Sequence, residues 1–142
     1  MIKIEIAENA GFCFGVRRAV EIAEKAAEKH GKVYTLGELI HNEAAVEELH
    51  KKGVCAVNSV DEAAGEVLII RSHGVAKSEK EKANRLCKAV LDATCPYVAK
   101  IHGIVSGLSE NGSVIVLGDE NHPEVVGIMG NSSPKAFAAK SF

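Results

Sequence analysis

Two thiols and three imidazoles, on Cys13, His41, His73, Cys95 and His122, each stand within a few residues of the end of a short apolar run. Thiolates and neutral imidazoles are metal ligands, and an imidazolium holds anions. Glu124, just past His122, adds a carboxylate able to carry protons. The runs IKIEIA, KVYTL, VLIIR, AVLDA and SVIVL have strand composition, and most precede a stretch of helical periodicity. Such alternation predicts a parallel α/β sheet, whose strand carboxyl ends form one rim where ligands bind. One regularity of the sequence thus predicts a shared edge for all of these groups.

The elements that must position them follow from pattern and punctuation. Ile2, Ile4 and Ile6 alternate with Lys3 and Glu5 and predict a half-buried strand over 2–7. Gly11-Phe12-Cys13-Phe14-Gly15 leads into a helix over about 16–29, closed by Gly31 in the left-handed conformation. Further strands are predicted at 32–36, 54–57, 66–71, 89–93, 113–117 and 135–140. Helices are predicted at 43–52 capped by Asn42, at 77–88, at 97–109 and at 123–129, with a single turn at 60–64 capped by Ser59. A last strand without a following crossover helix leaves one sheet face bare, which reads as a piece of something larger.

Each candidate has a bland alternative. Cys13, between glycines at a helix start, is either a thiolate favoured by the helix dipole or a small hydrophobe in a turn. Cys95 stands in the same kind of place, and Pro96 suits the first helical position. Cys55 and Cys87 read as filler, and there is no Cys-x-x-Cys pair to suggest a zinc ribbon or a thioredoxin site. His41 and His73 follow strands, and small neighbours around His73 expose N–H groups that can cradle phosphate oxygens. His30, His50 and His102 read as helix-surface residues. Arg17 and Arg18, in a first helical turn where positive charge is unfavourable, are either solvated or answer a nearby anion.

Composition excludes several classes. A chain of 142 residues, 46% hydrophobic and 25% charged, can bury a real core. A net charge of −2, aromatics at 4% and no Trp argue against nucleic-acid binding. Lys3, Glu5 and Glu8 break any signal-peptide run, and no stretch approaches the ~20 apolar residues of a membrane span. The chain reads as cytoplasmic, with reduced thiols.

Five segments, taken in order and spacing, carry a resemblance. They are Gly11 to Val16, Leu36 to Asn42, Arg71 to Val75, Asp92 to Pro96, and Gly118-Asp119 with Asn121 to Val125. Together they resemble the 4-hydroxy-3-methylbut-2-enyl diphosphate reductases of the methylerythritol phosphate route to isoprenoids, and the likeness runs through essentially the whole chain. The resemblance implies three α/β lobes around a [4Fe-4S] cluster held by three cysteines, with one iron open to the substrate hydroxyl. It implies that Cys13 and Cys95 are two of the cluster ligands and that His41 and His73 bind the substrate diphosphate. His122 would lie near the substrate oxygen and diphosphate, and Glu124 would deliver protons. The substrate would be a small allylic diphosphate, reduced to isopentenyl and dimethylallyl diphosphate, with a ferredoxin or flavodoxin as electron donor.

The third cysteine and the downstream Thr, Ser and Asn residues of that pattern are missing, and Asn131 stands where an aromatic is common. Residues 1–95 are therefore expected to form a first lobe and 96–142 an incomplete second lobe, inactive alone. In the family the first strand pairs with the third lobe. The rival readings are a non-redox anion-binding α/β module, an adventitious zinc site, and a piece that only self-associates through exposed apolar faces.

Overall fold

β3 (Val67–Ile70) is buried at every position, as a strand covered on both faces must be. It lies beside β1 (Val33–Leu36), whose other neighbour is β2 (Val54–Val57), and beside β4 (Ala89–Asp92). All pairings are parallel, in the order β2-β1-β3-β4. A computed structural model describes residues 2–8, 10–132 and 136–141. The parallel α/β class read from the sequence is the one observed.

Two layers of helix cover this sheet. α1 (Phe14–His30) and α2 (Glu43–Lys51) bury Ala19, Ala23, Ala27 and Leu49 against Val33, Val54, Val67 and Ile69. On the other face, α3 (Lys77–Leu86) and a 3₁₀ turn at Val60–Ala63 bury Ala83, Val60 and Ala63 against Leu36, Val57 and Leu68. Each fully buried aliphatic of β3 is worth about 1.5 to 3 kcal/mol of transfer free energy. The helix spacing explains the split: small alanines line one stripe of α1, and its charged residues face solvent.

The chain leaves β1 toward α2 on one face and β3 toward α3 on the other. β1 and β3 share a shorter register (Tyr34↔Leu68, Thr35↔Ile69) than the flanking pairs. A crevice therefore opens at their carboxyl ends, at the topological switch point of the sheet.

After β4 the chain enters α4 (Pro96–Asn111), then β5 (Val114–Leu117), α5 (Pro123–Gly130) and β6 (Ala136–Ala139). β5 and β6 form a separate parallel pair. Ile115, Leu117 and Phe137 stay exposed on it, as do Ile101, Ile104 and Leu108 of α4. This matches the bare face expected of a final strand without its crossover helix.

Several local expectations are corrected. Residues 2–7 form no strand: Ile2, Ile4 and Ile6 are 93%, 84% and 85% exposed, because no described segment offers them an edge. Alternation supplies only a face to be covered. α1 starts two residues earlier than predicted, because Phe14 and Gly15 already take the helical conformation after Cys13. Gly31 closes it at φ 79° and ψ −75°, a positive φ outside the left-handed helical well. Other boundaries move inward or outward by one or two residues. Position 135 of the last predicted strand lies outside the described residues.

Candidate functional site

Helix N-termini gather at the carboxyl rim and carry most of the site. Cys13 is the N-cap of α1, Cys95 of α4 and His122 of α5, while His41 directly precedes Asn42, the N-cap of α2. Pro96 and Pro123 each follow their cap at the first helical position, where the missing N–H costs nothing. Free N–H groups and the positive end of each helix dipole therefore converge on one edge, which suits anions and thiolates.

The imidazoles come together across the switch point. The ring centroid of His41, after β1, is 4.4 Å from that of His73, after β3. His122 reaches in from α5 at 5.9 Å from His41 and 6.3 Å from His73. Ser72 ties the first two loops, its buried hydroxyl donating to the Leu39 carbonyl at 3.0 Å. Burial first, then the charges of His41, Arg71 and His122, push the His73 pKa down to about 4. Its Nδ1 is buried without a partner. Imidazoles this close cannot all be charged without a counter-anion.

The thiols adjoin this cluster. The Cys95 amide donates to the Ser72 carbonyl at 2.9 Å, placing Cys95 one residue from His73 along that loop. Its sulfur lies against the first turn of α1: a β-carbon on Gly15 would be 2.5 Å from Cys95 Sγ. Gly15 is two residues past Cys13, so the two cysteines share the same corner. Arg18 holds that corner, donating to the Thr94 carbonyl at 3.1 Å and to the Asp92 carbonyl at 3.2 Å. The solvated or anion-facing role expected for Arg18 gives way to this tie, because a guanidinium can cap the open carbonyls at a strand end.

Glu124 and His122 are linked through the backbone. His122 Nδ1 accepts from the Glu124 N–H at 3.2 Å. An accepting Nδ1 leaves the proton of the neutral ring on Nε2, a donor available to a ligand. Glu124 is half-buried in the first turn of α5.

An iron–sulfur cluster can be tested on these donors. Cys13 and Cys95, at two helix N-termini, fit as two of its ligands. Among the described residues no group of three or more His, Cys, Asp and Glu is arranged to hold a metal ion, so a complete donor set is not present there. Cys55 and Cys87 lie half-buried in or beside the sheet, away from this corner, as filler.

Sequence reasoning missed three contributors. Arg71 follows β3 into the crevice, and burial pushes its pKa down. His102 is not a helix-surface residue: it is half-buried on α4 behind the His73 loop, and burial lowers its pKa against the charges of Glu124 and Asp92. Asn131 braces it, lying 3.3 Å from His102 Nδ1 while donating at 2.8 Å to the Val75 and Gly127 carbonyls. Arg71 was visible in the Arg-Ser-His-Gly segment. The His102–Asn131 pairing depends on tertiary packing and left no sequence signal.

A parallel α/β sheet with thiols and imidazoles at helix N-termini around its switch point defines a ligand-binding α/β protein of the strand-end type. The family model described as "LytB protein" matches residues 4–141, and the chain belongs to that family. Curated relatives carry the name 4-hydroxy-3-methylbut-2-enyl diphosphate reductase. That of Geotalea uraniireducens is 45% identical over 141 residues, covering 99% of this chain and 50% of its own length. That of Aquifex aeolicus is 47% identical over 132 residues, 92% of this chain and 46% of its own.

Among solved structures, one of "(E)-4-Hydroxy-3-methyl-but-2-enyl Diphosphate Reductase, the Terminal Enzyme of the Non-Mevalonate Pathway" superposes with TM-score 0.82 at 40% identity. It covers 99% of this chain and 52% of that one. The E-1-hydroxy-2-methyl-but-2-enyl-4-diphosphate reductase from Plasmodium falciparum gives TM-score 0.85 at 30% identity, over 94% of this chain and 43% of that one. The chain spans about half the length of the curated relatives it matches. No helix among the described residues is long and apolar enough to cross a membrane.

Proposed function

We propose that this chain supplies the diphosphate-binding face and two cluster thiolates of a reductase. That enzyme would convert (E)-4-hydroxy-3-methylbut-2-enyl diphosphate to isopentenyl and dimethylallyl diphosphate. The observation that carries the reading is the contiguity of the site: three imidazoles with centroids 4.4 to 6.3 Å apart, joined to Cys95 through the Ser72 carbonyl. The relatives' names support the substrate class.

Overall, the reaction takes in two electrons and two protons, loses the hydroxyl as water and replaces a C–O bond with C–H. A [4Fe-4S] cluster on Cys13, Cys95 and a further thiolate outside the described residues would supply low-potential electrons and a Lewis-acidic iron. The chain's own residues do the rest. His41, His73 and His122 hold the diphosphate, and the helix N-termini add N–H donors. His122 Nε2–H donates toward the substrate, and Glu124, at the start of α5, passes protons to the reacting carbons and the leaving oxygen. The tie from Ser72 to Leu39 keeps the two histidine loops at fixed separation. Residues 1–95 would act as the first lobe and 96–142 as part of a second. A ferredoxin or flavodoxin would deliver the electrons.

The test is the full-length protein purified without oxygen. Iron and sulfide should be bound in near-equal amounts, and the diphosphate should be consumed when a low-potential reductant is added. Absence of both overturns the reading. A second reading, a non-redox diphosphate-binding module, rests on the imidazole cluster alone and makes the cysteines incidental. Replacing Cys13 and Cys95 together by serine separates the two. Loss of colour and of turnover supports the reductase, and unchanged diphosphate affinity with no colour to lose supports the module. Zinc in place of iron on elemental analysis would mark an adventitious metal site.

A further inference from the structure

Arg71 is a half-buried cation with no counter-charge among the described residues. It follows β3 directly at the switch point, and among the described residues its side chain makes no ion pair and no hydrogen bond. Its Nε is buried and unpartnered. Burial alone pushes its pKa down, with no carboxylate acting on it. Partial desolvation of a guanidinium costs free energy that a negative group beside it offsets.

The slot holding it is built from the backbone. Gly37 sits at φ +72°, and a β-carbon there would be 2.5 Å from Arg71 Nη1 and 3.3 Å from Cζ. The guanidinium therefore lies across the end of β1, where no other residue type would leave it room. A cavity of about 190 Å³ opens beside it, lined by Asn58, Arg71, Gly74 and Pro123 among others. Gly74 and Pro123 are the immediate chain neighbours of His73 and His122, so this cavity adjoins the segments that carry two of the imidazoles. The charge of Arg71 is already felt at His73. Glu79 also lines the cavity but makes no pair with Arg71, and its charge bears on Lys82.

We propose that Arg71 is a substrate-binding residue that contacts the outer phosphate of a diphosphate whose inner phosphate is held by the three imidazoles, and so distinguishes diphosphates from monophosphates. The inference rests on the diphosphate-binding reading of the histidines. A guanidinium presents parallel N–H donors that match two phosphate oxygens, which an ammonium cannot do.

The test uses the full-length protein with inorganic pyrophosphate and orthophosphate as probes, read by calorimetry. Arg71→Met should weaken pyrophosphate binding about 10- to 100-fold while leaving orthophosphate nearly unchanged. Arg71→Lys should recover only part of the loss. In the unaltered protein, the Arg71 Nε–H resonance should move on titration with pyrophosphate and not with orthophosphate, a readout that needs no variant to fold. Equal pyrophosphate affinity in Arg71→Met and the parent, or a silent Nε–H, overturns the role of Arg71 and leaves the histidine reading intact. Pyrophosphate binding unaffected by His73→Asn overturns the histidine reading and with it this proposal. Failure of the parent to bind pyrophosphate at all removes both.

Discussion

The sulfur of Cys95 lies against Gly15, in the space that a β-carbon there would enter: the two atoms would be 2.5 Å apart, and Cys95 Cβ would be 3.0 Å away. That relationship joins the first turn of α1 to the loop after β4, and it seats the Cys95 thiol against the residue two along the chain from Cys13. The Arg18 bonds to the Asp92 and Thr94 carbonyls clamp the same junction. A glycine inside a helix ordinarily lowers stability, so its presence at this buried position is explained by the neighbour it admits.

Gly15→Ala is expected to displace Cys95. The helix would gain about 1 kcal/mol from the better helix former, while overpacking a closed corner costs about 1 to 3 kcal/mol. The protein should therefore be equally or less stable in urea, and Cys95 should be alkylated faster. Iron retained after anaerobic reconstitution should fall. A more stable variant with unchanged Cys95 reactivity would contradict the packing described.

His73 ties anion binding to proton uptake. Its pKa in the folded protein is about 4, held down by burial and by His41, Arg71 and His122, against an ordinary value of 6.5. Between those values the unfolded chain binds a proton that the folded one refuses, so stability falls as pH drops from 6.5 toward 4 and levels below it. An anion in the cluster reverses the balance by favouring the imidazolium. At pH 6 the His73 ring should be neutral by NMR without ligand and charged when saturated with pyrophosphate. A ring already charged before addition would refute this.

Much of the rim was legible because punctuation and period agree there. Pro96, Pro123 and Asn42 mark helix starts at strand ends, and the parallel order of β1, β3 and β4 puts His41, His73 and Cys95 on one edge, while Cys13 and His122 reach it through the packing of α1 and α5. What stayed hidden depends on neighbours distant in sequence. Ile2, Ile4 and Ile6 carry a strand pattern, yet strand pairing needs an edge that no described segment provides. His102 looked like a surface histidine because its burial comes from α5 and from the loop after β3. The bond that makes Arg18 structural spans |i−j| = 76, beyond the reach of any local pattern.

Asn131 and His102 are expected to behave as one unit. The Asn131 amide meets the Val75 carbonyl, the Gly127 carbonyl and the His102 ring at once, tying α5 to α4 and to the loop after β3. Asn131→Ala leaves the Val75 and Gly127 carbonyls short of a donor and removes the contact with the His102 ring, and should cost about 1 to 3 kcal/mol in denaturant titration. His102→Ala alone should also destabilise. The double substitution should cost less than the sum, since each single change already breaks the shared contact. Strict additivity would show that the two residues act separately.

Ser72 sets the spacing of the histidines. Its hydroxyl donates to the Leu39 carbonyl at 3.0 Å, and its own N–H reaches the same oxygen only at 3.4 Å, so the hydroxyl makes the stronger tie between the loops bearing His41 and His73. Ser72 is 6% exposed, which shields that tie from water. Ser72→Ala keeps the longer backbone bond and should lose about 0.5 to 1.5 kcal/mol of stability. With the tie gone, the loops can separate and the imidazoles no longer meet an anion together, so pyrophosphate affinity should fall several-fold. The thiol corner should not respond, because Cys95 is anchored to the Ser72 carbonyl, which the substitution leaves in place. Iron retention equal to the parent alongside weakened pyrophosphate binding would establish that separation, whereas parallel losses of both would mean the two halves of the site are mechanically one.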